Sequence, residues 1–425
     1  MMESPPTPFS MRKINTRDFH LATRSTPREV NRQIVLNLIR EQQPISRAEL
    51  ARRMGIRRGS LTAIVRELIE TGDVYEQGPA ATVRGRRPTL LALRTSGRHV
   101  LAVDVRSGHT SVALADFGGQ MVARDVFDTP SSPEALVDLL EVHAGRLLSD
   151  QVAAGTADGL CHGVGLVIPG MVDRRLGRVL YAPRLGWRNV ELRAAVAARL
   201  GLPVYVESAP IACAMARLWL SPDETRGVHS FAYVSVSDGL GVGLVVGGET
   251  LRGDTHTAGE FGHVSLDPHG PECVCGKRGC WEAFANNGAT IGRYAEQAWG
   301  GRADGNGARA NGRRGALPTV EEVVRRARSG DPAAVAALTE TGRHIGRGLA
   351  AVVSAFNPGR IYVGGEVTAA WELLKGPIRA ALVEGTLTDA ARATPVVPDR
   401  DPAEYRLLGA VALVAAPAFA APTVG

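Results

Sequence analysis

The stretch GHVSLDPHGPECVCGKRGCWE, from Gly262 to Glu282, holds three of the five cysteines of this 425-residue chain. Cys273, Cys275 and Cys280 fall within eight residues, and His263 stands ten residues before the first of them. One imidazole nitrogen and three sulfurs are a ligand set that zinc binds tetrahedrally in structural sites. Cysteines clustered in this way, without a disulfide framework, are more often metal ligands. The stretch therefore predicts a closed zinc site, with redox-active cysteines or a packed apolar loop as the alternatives.

The first hundred residues differ in charge from the rest of the chain. They contain 18 Lys and Arg against 9 Asp and Glu, a net charge of +9, whereas the rest of the chain has a net charge of −3. A basic segment on a slightly acidic body is typical of a nucleic-acid-binding domain joined to a body with a different partner. The alternative is a general bias in composition, because arginine greatly outnumbers lysine throughout the chain.

Residues 26–95 follow the pattern of a winged helix-turn-helix. Apolar residues at helical spacing predict three helices. Ser46 and Glu49 form a capping box at the start of the second helix, in which the serine side chain accepts from the glutamate N–H. Gly55 permits a tight turn between the second and third helices, and Gly72 ends the third. Three helices joined in this way predict a DNA-binding domain.

Two short strands after the third helix would form the wing, and Thr89–Leu93 is the second of them. In this fold the N-terminal part of the third helix enters the major groove, where arginines pair with guanine edges or phosphates. The residues predicted to contact DNA are Arg57, Arg58, Ser60 and Thr62 on the helix, and Arg84, Gly85, Arg86 and Arg87 on the wing. The alternative is an ordinary three-helix bundle with solvated arginines.

Beyond residue 95 the pattern changes to that of a duplicated α/β core. One run of short β segments begins at His99 and a second begins at Phe231, and helices follow each run. Such repetition predicts two lobes with a cleft between them. The Gly/Arg/Asn-rich residues 299–315 predict a disordered insert. The predicted division is a flexible arm at 1–25, the DNA-binding domain at 26–95, a first lobe at 96–225 and a second lobe at 226–425.

Several segments of the chain together resemble the ROK family (repressor, open reading frame, kinase), in its transcriptional-regulator branch. The cysteine stretch is the most specific of them. The resemblance implies an α/β, actin-like, sugar-kinase-type (ribonuclease H-like) ATPase fold of two lobes behind the winged helix-turn-helix, and one structural zinc per chain on the four residues named above. The matching segments are GRRPTLLAL at Gly85, LAVDVRSGHTSVAL at Leu101, GLVIPGMVD at Gly165, APRLGWRNVELR at Ala182, SDGLGVGLVVGG at Ser237, AGEFGHVSLDPHGPECVCGKRGCWEAFA at Ala258 and FNPGRIYVGG at Phe356.

The resemblance also implies a set of sugar-binding residues. In the sugar kinases of the family, the residues that match Glu260, His263 and Glu282 bind sugar hydroxyls, and carboxylates are good acceptors for a polyol. Arg184 stands where those kinases often have asparagine, which raises the hypothesis of an acidic or phosphorylated sugar; the alternative is a surface arginine. The predicted sugar contacts are Pro169, Gly170, Arg184, Glu260, His263 and Glu282.

The catalytic parts of a sugar kinase are missing or altered. The base of the family is an aspartate in a segment like V-E-N-D-A-N, whereas this chain reads V-E-S-A-P, with Ser208 or Ala209 at that position. Arg106 replaces a glycine of the phosphate-binding D-x-G-G-T segment, and Asp238 would repel a phosphate at the second loop. Because loss of a general base lowers the rate by orders of magnitude, we expect no catalytic residue, no kinase activity and no ATP cofactor.

These features together predict a DNA-binding transcriptional regulator, a repressor of carbohydrate metabolism genes, whose degenerate ROK domain senses a sugar or sugar derivative. Its expected partners are a double-stranded DNA operator, a small carbohydrate effector and further copies of itself in a homodimer or homotetramer. The absence of a long apolar run or a signal-peptide pattern predicts no membrane partner and a cytoplasmic location. The alternatives are an active ATP-dependent sugar kinase with an appended DNA-binding domain, and a regulator controlled by a protein that docks on the body.

Overall fold

The computed structural model describes residues 28–79, 88–95, 97–153, 161–221, 223–300, 317–399 and 402–419. The arm predicted at residues 1–25 lies outside this range, and so does the predicted insert from residue 301 onward. The wing residues predicted to contact DNA also lie outside it, namely Arg84, Gly85, Arg86 and Arg87. No helix in the described part of the chain combines the length and the apolar character needed to cross a bilayer.

The described residues from 28 to 95 form the N-terminal domain, which has three helices and a small antiparallel sheet. Its elements are α1 (Arg28–Gln42), β1 (Ile45–Ser46), α2 (Arg47–Met54), α3 (Arg58–Glu70), β2 (Val74–Pro79) and β3 (Thr89–Leu93). The Ser46 side chain accepts a 3.2 Å hydrogen bond from the Glu49 N–H at the start of α2, as predicted. Gly55 ends that helix with a φ of 64°, a left-handed conformation that glycine adopts without strain. The winged helix-turn-helix expected from the sequence is confirmed.

The first lobe is built on a five-stranded sheet in the order β11-β7-β4-β5-β6, beside a small sheet in the order β10-β9-β8. A 3-10 turn lies at Pro183–Leu185. The helices and strands of this lobe are β4 (His99–Val105), β5 (His109–Asp116), β6 (Met121–Asp128), α4 (Pro133–Ala153), β7 (Cys161–Ile168), β8 (Met171–Asp173), β9 (Arg178–Ala182), β10 (Trp187–Val190), α5 (Leu192–Leu200), β11 (Val204–Ser208) and α6 (Ala209–Leu220).

The second lobe repeats this arrangement in a sheet of order β14-β13-β12-β15-β16. The 3-10 turns lie at Phe261–His263 and Glu366–Ala370. Its helices and strands, followed by the C-terminal helix, are β12 (Phe231–Val236), β13 (Leu240–Val246), β14 (Glu249–Leu251), α7 (Trp281–Ala285), α8 (Asn287–Trp299), α9 (Val320–Arg328), α10 (Pro332–Phe356), β15 (Ile361–Gly364), α11 (Trp371–Glu384), α12 (Asp389–Arg392), β16 (Val396–Pro398) and α13 (Pro402–Phe419). In both sheets the central strand pairs antiparallel with the next strand and parallel with a later one. The duplicated core is confirmed.

Helices α6 and α13 pack against each other and connect the lobes. Helix α13 rests directly on β7, since a Cβ atom at Gly165 would lie 1.8 Å from the carbonyl oxygen of Ala410. Helix α6 rests on β13, since a Cβ atom at Gly243 would lie 2.2 Å from the carbonyl oxygen of Pro210. The sequence-based division assigned residues 226–425 to the second lobe, but α13 crosses back to the first sheet.

The N-terminal domain shares its hydrophobic core with the same two helices. The apolar faces of α1, α2 and α3 belong to one continuous cluster with α6 and α13. The Gln33 side chain donates a 2.6 Å hydrogen bond to the carbonyl of Ala418. The Arg40 guanidinium lies 4.6 Å from the ring centre of Trp219 and donates to the carbonyl of the same residue. The domain is therefore fixed to the ends of α6 and α13.

Candidate functional site

A cleft of about 890 Å³, open in part to solvent, lies between the two lobes. The turn after β7, the 3-10 turn before β10 and the first residues of α6 approach it from the first lobe. The turn between β12 and β13 and the cysteine stretch approach it from the second lobe. All the residues predicted to bind a sugar line this one cleft: Pro169, Gly170, Arg184, Glu260, His263 and Glu282.

Glu282, at the start of α7, is the most enclosed carboxylate of the cleft, with 6% of its surface exposed. One of its oxygens accepts a 2.9 Å hydrogen bond from the main-chain N–H of Leu240. The other lies 3.7 Å from the guanidinium of Arg184, which belongs to the first lobe. The Arg184 side chain therefore lies at the cleft, where it partly balances the charge of Glu282 across the gap between the lobes.

Glu260 immediately precedes the 3-10 turn that carries His263. Its carboxylate lies 3.9 Å from the Nε2 atom of His263. Burial, followed by the charge of Glu282, raises the pKa of Glu260. A carboxyl group with a raised pKa can both accept and donate hydrogen bonds near neutral pH, so this end of the cleft offers the mixed donors and acceptors that match hydroxyl groups. We call it the carboxylate end of the cleft.

The four predicted metal ligands form one compact cluster beside the carboxylate end. Their ligand atoms all lie within 4.8 Å of one another. The sulfurs of Cys275 and Cys280 are 3.7 Å apart, and the Cys273 sulfur is 3.6 Å from Nδ1 of His263. A tetrahedral zinc with bonds of about 2.3 Å keeps its sulfur ligands about 3.8 Å apart. The cluster therefore has the size and the donor set of a metal centre.

Two glycines allow the chain to fold around this cluster. Gly276 and Gly279 have φ angles of 87° and 66°. A Cβ atom at Gly279 would lie 1.5 Å from the carbonyl oxygen of Asp267, so only glycine fits there. The Lys277 ammonium donates to the carbonyl of His263 at 2.9 Å, which ties the loop to the 3-10 turn. The cluster thus joins the turn that positions Glu260 and His263 to the helix that positions Glu282.

The sequence profile of the ROK family matches residues 100–416, about three quarters of the chain. The chain belongs to the ROK family. The xylose repressor of Caldicellulosiruptor bescii is 27% identical over 366 residues, which cover 84% of this chain and 88% of that protein.

Two solved ROK structures share the fold. A ROK family transcriptional regulator, a homologue of the Escherichia coli MLC protein, has a TM-score of 0.75 and 27% identity over 91% of this chain and 96% of its own. A ROK glucokinase from Streptomyces griseus, in complex with glucose and AMPPNP, has a TM-score of 0.61 and 28% identity over 74% of this chain and 98% of its own. The regulator matches a larger share of this chain than the glucokinase does. The additional residues include part of the N-terminal domain, because the ROK profile begins at residue 100.

The position that the sequence resemblance assigns to the kinase base lies at the junction of β11 and α6. Strand β11 ends at Ser208 and α6 begins at Ala209, and both residues line the cleft. Neither side chain can take a proton from an attacking hydroxyl as a carboxylate does. The nearest carboxylate along the chain, Glu207, is buried and receives hydrogen bonds from Arg252 at 2.9 and 3.1 Å.

The helix residues of the N-terminal domain that are predicted to contact DNA are exposed at the start of α3. Arg57, Arg58, Ser60 and Thr62 are all exposed, and the Thr62 hydroxyl donates to the carbonyl of Arg58 at 2.8 Å. Arg66 is exposed on the same face and was not among the residues predicted to contact DNA. The spacing from residue 58 to 62 to 66 could have revealed it, because positions four apart share one helix face.

Proposed function

We propose that this ROK chain is a DNA-binding transcriptional regulator, a repressor of carbohydrate metabolism genes, that senses a sugar or sugar derivative in the cleft between its lobes. One observation carries the proposal. The helices α6 and α13, which connect the lobes, share a hydrophobic core with the winged helix-turn-helix. A ligand that changes the relative position of the lobes would therefore change the setting of the DNA-binding domain. The C. bescii relative, named a xylose repressor, supports the direction of control.

The metal that best suits the cluster at His263, Cys273, Cys275 and Cys280 is zinc, one per chain. Three thiolates and one imidazole complete a tetrahedron, so no position remains open for substrate. The chemistry that zinc supplies here is structural, since binding holds the loop in its folded form. The chain's own residues then hold Glu260 and Glu282 at fixed positions beside the ligand.

The ligand we propose is neutral and rich in hydroxyls. Glu260 and Glu282 offer acceptors on one side of the cleft, and the Nε2 atom of His263 is free of the metal if Nδ1 binds it. Arg184 first suggested an acidic sugar, but its pairing with Glu282 already partly balances its charge. With Ala209 at the position of the base, the ligand would leave the cleft chemically unchanged.

Ligand binding alters DNA binding only through a difference in affinity for two conformations. We propose that copies of the chain bind a near-palindromic operator as a homodimer or a higher oligomer, with one α3 helix in each half-site. A sugar that favours one separation of the lobes would then move the two α3 helices toward or away from the spacing of the half-sites.

A combined DNA and sugar assay tests the proposed function. We expect the purified chain to protect a site upstream of its own gene in footprinting at moderate salt. In a panel of hexoses, pentoses and amino sugars, at least one should raise the melting temperature and change operator affinity. A chain that bound no duplex DNA would contradict the regulator, and ATP consumption with any of these sugars would favour the kinase instead.

A further inference from the structure

Charged and polar side chains bridge the lobes where the turn after β4 meets the turn between β12 and β13. The guanidinium of Arg106, just after β4, donates to Asp104 at 2.9 Å and to Glu366 at 2.7 Å. Asp104 belongs to the first lobe and Glu366 to the second. The side chains of Arg106 and Glu366 are only 15% and 19% exposed. Ion pairs in such positions are screened less by salt than surface pairs.

A second bridge lies beside the first. The Ser107 hydroxyl, in the first lobe, donates to Asp238 at 2.6 Å in the second lobe. The Asn287 side chain, at the start of α8, donates to Glu366 at 3.0 Å and lies 3.4 Å from Asp238. Asn287 therefore holds the two second-lobe carboxylates in place for their partners in the first lobe.

This arrangement occupies the place where a kinase of this fold would cradle phosphates. The resemblance assigns phosphate binding to the turn after β4 and the turn between β12 and β13, which carry Arg106 and Asp238. Arg106 is already neutralised by carboxylates on both sides, so its charge is not available to a phosphate. Asp238 and Glu366 would face an incoming phosphate with like charge. The bridges therefore replace a ligand at this end of the cleft.

The first bridge is also connected to the N-terminal domain. The Arg406 guanidinium of α13 donates to the second oxygen of Asp104 at 2.6 Å and to the carbonyl of Val105 at 3.0 Å. Asp104 thus holds Arg106 with one oxygen and α13 with the other. The far end of α13 receives hydrogen bonds from Gln33 and Asn37 of α1. One helix therefore runs from the ionic cluster to the DNA-binding domain.

We propose that Arg106–Glu366 and Ser107–Asp238 form an interlobe latch that holds the lobes together in the absence of any nucleotide and sets the resting DNA affinity. This regulation rests on the proposed function. The sugar acts at the carboxylate end, where the weaker contact between Arg184 and Glu282 crosses the same cleft at 3.7 Å. The latch is the fixed edge about which the lobes open or close, and α13 carries that movement to α1.

Hydrogen exchange of the full-length, metal-loaded chain tests the latch without DNA or sugar. In Glu366→Gln and Asp238→Asn, the second-lobe acceptor loses its charge while the first lobe is untouched. We expect the amides of the turns that carry Arg106 and Asp238 to exchange about tenfold faster, since a hydrogen bond to a charged acceptor is stronger than one to a neutral acceptor. The matched control is Glu372→Gln, which removes a surface ion pair within the second lobe and should leave those amides unchanged.

Operator binding with and without an effector sugar forms the second arm. Both latch variants should change resting operator affinity by about tenfold, whereas Glu372→Gln should not. The latch would be overturned if these amides exchanged at wild-type rates in both latch variants. It would also be overturned if AMPPNP slowed their exchange in the wild-type chain. Faster exchange in a chain that binds no DNA would support the latch and count against the proposed function, so the two failures are distinguishable.

Discussion

The side-chain amide of Asn37 donates a 2.8 Å hydrogen bond to the main-chain carbonyl of Phe419, which joins the first helix of the DNA-binding domain to the last described residue of α13. Asn37 is fully buried. Because Asn37→Ala would leave a buried carbonyl without this donor, we expect the free energy of unfolding to fall by about 1–3 kcal/mol. The sugar-dependent change in operator affinity should shrink as well. Chemical denaturation and operator titration measure the two effects.

The control for that variant is Glu29→Ala, on an exposed position of the same helix. A surface substitution of this kind should stay within about 0.5 kcal/mol of wild type. If Asn37→Ala matched Glu29→Ala in both stability and sugar response, the contact with Phe419 would not transmit the signal.

Removal of a metal ligand should release the metal and loosen the carboxylate end of the cleft. We expect Cys273→Ser and Cys280→Ser to lose most of the one zinc per chain, because a structural site with three ligands binds far more weakly than a complete tetrahedron. The melting temperature should fall, and so should sugar affinity. Elemental analysis and thermal unfolding measure these changes. Cys161→Ser is the matched control, since Cys161 lies outside the cluster; equal zinc content in all three variants would contradict the site.

A carboxylate placed at the position that the resemblance assigns to the kinase base should not create a kinase. Ala209 lines the cleft at the first position of α6, where the helix dipole favours an aspartate. We nevertheless expect Ala209→Asp to show no sugar-dependent ATP consumption, because Arg106 and Asp238 still occupy the two turns that the resemblance assigns to phosphate binding. A coupled assay measures ATP turnover, with the Streptomyces glucokinase as the positive control. Turnover by Ala209→Asp would contradict the expectation, because it would show that a carboxylate at this position is enough for kinase activity.

The exposed arginines of α3 should carry the affinity for DNA. We expect Arg58→Ala and Arg66→Ala to weaken operator binding by about 1–3 kcal/mol if the side chain reaches a base. If it reaches a phosphate, the slope of log K against log salt should fall by about one. Arg343→Ala, an exposed arginine of α10, is the control and should bind as wild type does. Titrations at three salt concentrations would distinguish base contacts from phosphate contacts. If Arg66→Ala kept wild-type operator affinity, DNA recognition would be limited to the first turn of α3.

His344 should make stability depend on pH. Burial, followed by the charge of Arg293, lowers the pKa of His344 to about 4 from an ordinary value of 6.5. As the pH falls from 6.5 to 4, the unfolded chain binds a proton that the folded chain does not, so stability decreases. His344→Phe keeps a ring against Phe284, whose centre lies 4.7 Å away, and removes the titration. The variant should gain stability relative to wild type across that range in urea titrations; parallel profiles would contradict the assignment.

The parts of the fold that depend on neighbours in the sequence could be predicted well. The cap at Ser46, the turn at Gly55 and the stripe of apolar residues in α3 are local, and each appears as expected. The metal cluster was predictable for the same reason, because its four ligands lie within 18 residues and the donor types restrict the metal.

Contacts between distant residues could not be predicted in this way. Arg106 could be recognised as a replaced glycine, but its partner Glu366 is 260 positions away, and no local pattern pairs the two. The return of α13 to the first sheet depends on a close approach of backbones at Gly165, and its packing against α6 depends on another at Gly409. A glycine in a strand or helix can serve several purposes, so its packing partner is visible only in the folded chain.

The shared core of α1 and α13 also bears on how the chain is made. Asn37 and Phe419 are 382 positions apart, and a ribosome delivers the chain from its N-terminus. The DNA-binding domain therefore leaves the ribosome long before the helix that completes its packing. A nascent chain lacks both the finished surface under α1 and the helix that covers the first sheet until α13 has been synthesised, so the domain and the sensing body are completed in the same step. The order of synthesis thus delays the mature regulator until the part that controls it is in place.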